Sequence, residues 1–241
     1  MSKKYLKTVY DLGGEKMIFK TCSGGMFGDH RSRSAKSQES KAAVEKHNLK
    51  KTIFNLFLLL CANFNTGDWN ITLTYAKGLR PTPEMSKDIV ADFFKKLKAW
   101  CKKQNRPCRY IWLTHIGSRG GIHHHVILPK WIPYDVLCDL WKYGQVQTGH
   151  PLYGNNQYQE LASYLIRGTQ GETLLRTKGR RRYNPSHGLK RIEPKREWVH
   201  ASKWKKEPKP PKGWMIKKDS LFNDVDIWGF PYQAYTLVKI E

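Results

Sequence analysis

The pattern that most narrows the fold is RYIWLTHI (109–116) followed by GSRGG and then IHHHVIL (122–128). Two strand-like runs rich in β-branched and aromatic residues, joined by a short glycine-rich stretch, predict a β-hairpin. With the turn near Arg119, His115 stands opposite His123. Successive side chains on a strand point to opposite faces, so His115, His123 and His125 share one face, while His124 sides with Ile122 and Val126 on the other. Neutral imidazole is a common transition-metal ligand, and an i, i+2 pair on a strand turns two nitrogens toward one ion. A patch of partly exposed histidines, or rings donating to nearby carbonyls, is the other reading these residues allow.

The surrounding pattern predicts what such a hairpin packs against. From Gln38 to about Ala62, Val44, Leu49, Ile53, Leu56, Phe57 and Leu60 recur near a 3.6 period and predict a helix. After NTGD, the run WNITLTY alternates, with Ile71, Leu73 and Tyr75 on one side and Thr72 and Thr74 on the other, as in a strand with one buried face. Thr82 then caps a long amphipathic helix that has Pro83 just inside it and a stripe of Ile89, Val90, Phe93, Phe94, Leu97 and Trp100. YDVLCDLWKY (134–143) reads as a further helix, GQVQ as a short strand, and NQYQELASYLIR as a helix ended by Gly168. Tyr158 and Tyr164 lie six residues apart on that last helix and so occupy different faces. The order implies an α+β fold, a central antiparallel sheet with helices packed on one face, plus basic N- and C-terminal extensions.

The ends differ in character. Residues 1–37 mix glycine, serine and basic residues and read as a basic N-terminal arm. Beyond residue 176 come RTKGRRRY, GLKRIEPKR and KWKKEPKPPKG, where prolines forbid a regular helix and imply a linker or an extended DNA-tracking segment. The final YQAYTLVKI alternates and is expected to add an edge strand. Across the chain 43 lysines and arginines face 20 acidic residues, a net charge of +23 that a polyanion would relieve. Basic residues interleaved with aromatics (Arg180, Arg181, Arg182, Tyr183, Trp198, Trp204, Trp214) suit single-stranded DNA, through phosphate neutralisation and base stacking. Five cysteines without CxxC spacing argue against a disulfide framework or zinc ribbon. No signal peptide or membrane span is expected, and a cytoplasmic protein of a bacterial host cell is.

The ordered set WNITLTY, RPTPEMSKDIVADFFKKLK, RYIWLTHIGSRGGIHHHVIL, LASYLIRGT, RRRYNPSHGLKRIEP and GFPYQAYTLVKI resembles the HUH endonucleases, specifically the rolling-circle replication initiators (Rep) of bacterial plasmids, integrative elements and phages. The resemblance implies an HUH, ferredoxin-like catalytic domain over 38–185, with 186–241 as a basic C-terminal extension. It matches His123 and His125 to the paired metal histidines and Tyr164 to the nucleophile. His115 stands where members commonly carry glutamate, and Arg167 where they commonly carry lysine. A third histidine softens the site and favours Mn²⁺ over Mg²⁺. Arg167 can steady phosphate charge but cannot act as a base. Arg119, Arg180, Arg181, Arg182, Lys190 and Arg191 are the expected DNA contacts.

The implied activity is site-specific nicking and joining of single-stranded DNA at a replication origin, through a 5′-phosphotyrosine, with Mn²⁺ or Mg²⁺ as cofactor. A host helicase and polymerase are implied partners, since the chain lacks a GxxxxGK[ST] phosphate loop. Alternatives are a single-tyrosine HUH transposase and a non-catalytic basic nucleic-acid-binding protein. A cupin-like oxygenase, which also uses HxH on a strand, lacks support because no glutamate follows in VILPKW.

Overall fold

The computed structural model describes residues 4–22, 38–149, 155–175, 182–201, 203–225 and 231–240. In chain order its elements are β1 (Tyr5–Asp11), β2 (Glu15–Cys22), α1 (Gln38–Asn63), β3 (Trp69–Thr74), α2 (Pro83–Lys103), β4 (Ile111–Ile116), β5 (Ile122–Leu128), α3 (Tyr134–Leu140), β6 (Val146–Thr148), α4 (Asn155–Arg167), β7 (Thr173–Leu175), β8 (Asn184–Pro185), β9 (Lys195–Val199), β10 (Trp214–Ile216), β11 (Phe222–Val225) and β12 (Pro231–Lys239). The fold is α+β with antiparallel pairing throughout the described strands. It divides into two compact units, one of residues 50–190 and one of residues 1–49 with 191–241.

The first unit is built on the sheet β6-β3-β5-β4-β7, with β8 also paired to β4. Its hairpin has the register read from the sequence: His115 pairs with His123 and Thr114 with His124, while Leu73 of β3 pairs with His124 from the other side. On the face that carries His124, the apolar side chains Ile71, Leu73, Val126 and Leu128 meet Val90, Phe93, Phe94 and Leu97 of α2 and Leu137 of α3. That burial is why the alternation is decisive, because a one-residue slip would carry the whole apolar set off the core. α2 starts where Thr82 accepts a hydrogen bond from the Met85 N–H at 3.3 Å, with Pro83 as its first residue. In α1 the apolar stripe is buried from Leu56 onward, whereas Val44 is exposed.

The terminal stretches do more than the sequence reading assigned to them. Within residues 1–37, β1 and β2 form a hairpin instead of a loose arm; the SGGMFGDHRSRSAKS segment of that arm falls outside the described residues. β9 to β12 join the hairpin in a second sheet, ordered β10-β12-β2-β1-β9 with β11 also on β12. β12, expected at an edge, is interior: it pairs with β2 on one side and with β10 and β11 on the other. Ile18, Tyr235 and Leu237 form its small core, with Val9, Trp214, Ile216 and Leu221 packed around them. Polar positions in these strands hid the pairing, because a buried polar pair (Lys20 with Gln233) sits where an apolar alternation would have been the signal.

Candidate metal centre

β4 and β5 present three imidazoles to one side of the first sheet. His115, His123 and His125 each offer a ring nitrogen, and these three atoms lie within 4.8 Å of one another. Their rings are 5.0–5.7 Å apart, centre to centre. His115 is fully buried and His125 nearly so, yet both nitrogens of His115 and Nε2 of His125 have no hydrogen-bond partner. Orphaned buried nitrogens are costly unless something unseen satisfies them. A divalent ion fits, because nitrogens about 2.1 Å from one ion lie roughly 3–3.5 Å apart, within a small contraction of the observed cluster.

One more residue completes the cluster. Gly168 closes α4 with φ +71°, its N–H bonded to the Tyr164 carbonyl at 2.7 Å, and the chain then turns back so that Glu172 reaches the histidines. A Cβ at Gly168 would sit 3.1 Å from the Glu172 side chain and 3.5 Å from the His115 ring, so the turn needs glycine for both conformation and space. Glu172 Oε2 is 3.5 Å from His115 Nδ1, and Oε1 is 3.5 Å from His123 Nε2. The Thr169 N–H also donates to Glu172 Oε2 at 2.8 Å. Sequence reading missed Glu172, which lies outside any periodic run; an acid four residues past the helix-ending glycine was the only local signal.

The electrostatics keep this cluster ready for a cation. Burial lowers the His115 and His123 pKa values, and the Glu172 charge only partly opposes it. Burial, reinforced by the neighbouring histidines, lowers His125 to about 3, so its ring is neutral near pH 7 and its Nδ1 is hydrogen-bonded with Thr72 Oγ1 at 3.2 Å. For Glu172, burial pushes upward, but the Thr169 hydrogen bonds and the histidines outweigh it and hold the carboxyl below its ordinary range.

α4 brings Tyr164 over the same site. Its ring centre is 5.6 Å from that of His125, and the residue is 40 % exposed, open to a substrate. Burial and then the Glu172 charge raise its pKa, which keeps it a phenol in the absence of added positive charge. Tyr158 faces elsewhere: it is buried and donates to the Phe64 carbonyl at 3.0 Å, and burial pushes it up to about 12.

The expected DNA contacts scatter. Arg167 is exposed at the end of α4 and makes no side-chain ion pair or hydrogen bond among the described residues. Arg119 is exposed at the hairpin tip and Arg182 is half-buried before β8. Lys190 is exposed while its backbone is clamped by Asn63, with bonds of 2.8 Å to both its N–H and its carbonyl. Arg191 is exposed; Arg180 and Arg181 lie outside the described residues. Trp198, Trp204 and Trp214 belong to the second unit, where Lys4 lies over Trp198 and Lys16 over Trp214. Among the described residues no helix is long and apolar enough to cross a membrane.

Residues 68–170 match a family model described as a replication-associated protein of the ORF2 type, a stretch that holds the three histidines, Tyr164 and Arg167 and stops just short of Glu172. The match associates this part of the chain with replication and implies DNA as a partner. No curated protein and no solved structure matches the chain.

Proposed function

We propose that the chain is an HUH-type replication initiator that nicks and rejoins single-stranded DNA through Tyr164. The observation that carries this reading is the exposed Tyr164 beside three converging imidazoles whose buried nitrogens lack partners. His115, His123 and His125 would hold a divalent ion, with Glu172 supplying the carboxylate that the hairpin itself lacks. When bound, such an ion polarises the scissile phosphate and offsets charge developing on it. Tyr164 Oη attacks phosphorus; the new O–P bond forms as the P–O3′ bond breaks, the phenolic proton passes to solvent, and the departing 3′ oxygen is protonated. The products are a 5′-phosphotyrosyl link and a free 3′-OH, and reversal of the same exchange rejoins a strand. Arg167, on the same helix, steadies phosphate charge without taking a proton. Three imidazoles with one carboxylate favour Mn²⁺ over Mg²⁺.

The test is a covalent adduct on a single-stranded oligonucleotide from the element's origin, resolved on a denaturing gel with Mn²⁺, Mg²⁺ or chelator. Adduct with Mn²⁺, none with chelator and none with Tyr164→Phe is the expected result. An adduct surviving Tyr164→Phe would remove the nucleophile assignment, and salt-sensitive binding without any adduct would favour a non-catalytic binding protein.

A further inference from the structure

The second unit carries a cavity of about 520 Å³ at one end of its sheet, lined by Trp204, Tyr232, Pro231, Lys203, Lys206 and Asn223, with Asp224 and Cys22 completing it. Its wall is the KWKK stretch, which the sequence alone left as a linker, and a buried polar network holds it there. Gln233, with no exposed surface, donates through its amide to the Lys205 carbonyl at 2.9 Å, the Lys206 carbonyl at 3.1 Å and Asn223 Oδ1 at 2.8 Å. Its own oxygen accepts from Lys20 Nζ at 2.8 Å, and Asn223 Nδ2 donates to the Lys206 carbonyl at 3.1 Å. The backbone of 205–206 is therefore pinned while its side chains are left for other work. Trp204 is oriented by an edge-on contact with Tyr5 at 5.2 Å. Lys203 and Lys206 have no side-chain ion pair or hydrogen bond among the described residues.

We propose that this cavity takes one unpaired base of a single-stranded DNA, stacked on Trp204 and flanked by Tyr232, with Lys203 and Lys206 on the adjoining phosphates. The volume falls within the roughly 300–1,000 Å³ of small-ligand sites, enough for a nucleoside whose phosphates stay at the rim. An aromatic wall gives a π-face to any base, and unpartnered lysines on a chain of net charge +23 supply the complement to phosphate. A duplex keeps its bases stacked inside and could offer this cavity only its backbone. The site stands on the second unit alone and does not depend on the nicking reading.

The experiment uses the full chain in chelator, so that no cleavage intervenes, with a labelled 12-mer of mixed sequence, the same length of base-free deoxyribose-phosphate spacer, and a 12-base-pair duplex. Titrations are followed by anisotropy, and a 5-iododeoxyuridine version of the 12-mer is photo-crosslinked and its attachment mapped. Crosslinks are expected at Trp204 or Tyr232, and Trp204→Ala should weaken the single strand roughly tenfold while leaving the spacer unchanged. Lys203→Gln with Lys206→Gln should weaken strand and spacer alike. Because Trp204→Ala also removes the Tyr5 contact, Trp204→Phe and Trp204→Leu decide if the alanine variant melts early: phenylalanine should restore strand binding and leucine should not. Equal loss on strand and spacer, an absence of crosslinks at this cavity, or tighter binding of the duplex would overturn the proposal. The Tyr164 adduct assay, run separately with Mn²⁺ on the same variants at saturating DNA, reports on the nicking reading and should be unaffected.

Discussion

His124 and His125 are adjacent, identical in type, both deeply buried and both lowered to about 3 by burial, yet they sit in opposite regions of the sheet. His124 faces the core, where Thr114 Oγ1 meets its Nδ1 at 2.7 Å, the Tyr75 hydroxyl meets its Nε2 at 2.9 Å, and the rings of Trp112 and Trp141 enclose it. His125 faces the cluster and leaves Nε2 without a partner. Burial and a depressed pKa therefore do not distinguish a ligand from a structural histidine. Hydrogen-bond satisfaction does, because a buried nitrogen left open is tolerated only where something else will use it.

That contrast can be broken in four places. The largest effect is expected from His125→Ala, which should lower Mn²⁺ affinity by at least ~100-fold and remove the adduct, read by titration calorimetry and the gel assay. Glu172→Gln should weaken Mn²⁺ about 10- to 100-fold while leaving the thermal midpoint of the metal-free protein nearly unchanged, since the residue is at the rim and not in the core. His124→Ala should do the reverse: it opens a cavity and strands the Thr114 and Tyr75 hydroxyls, costing about 2–5 kcal/mol in urea unfolding, with Mn²⁺ affinity per folded molecule preserved. If His124→Ala instead abolished metal binding in folded protein, the register of the two faces would be wrong.

The smallest and most diagnostic effect is with pH. A histidine whose folded pKa is about 3 takes up a proton in the unfolded chain near the ordinary 6.5 before it does so in the fold. Stability is therefore at its full value above about pH 6.5 and falls as pH drops toward 3, by roughly 1.4 kcal/mol per pH unit for each such ring. Urea midpoints measured across that window should show a slope that His124→Gln reduces by one ring's share. An unchanged slope would mean that His124 is not held neutral by its surroundings.

Much of this was legible in the residues because it is local. Strand parity separates His124 from its neighbours, a glycine-rich loop sets the hairpin so that His115 meets His123, and Thr82 with Pro83 marks a helix start, each through partners close in sequence. Helical spacing likewise separates Tyr158 from Tyr164. Glu172 was not legible, since it meets the histidines only after Gly168 turns the chain back along β4, where Leu174 pairs with His115. Nor was the second sheet, whose strands β2 and β12 come from opposite ends of the chain and are joined by a buried lysine and glutamine instead of an apolar stripe.

Sequence alone determined which faces the hairpin histidines share, because side-chain alternation and turn geometry act between near neighbours and need no knowledge of the rest of the chain. Only the tertiary structure decided that a carboxylate and an exposed tyrosine complete the cluster, and that the termini pair into a sheet with a lined cavity. Those contacts join residues far apart in sequence, and their stability comes from burial and hydrogen bonding that exist only once the whole chain has closed.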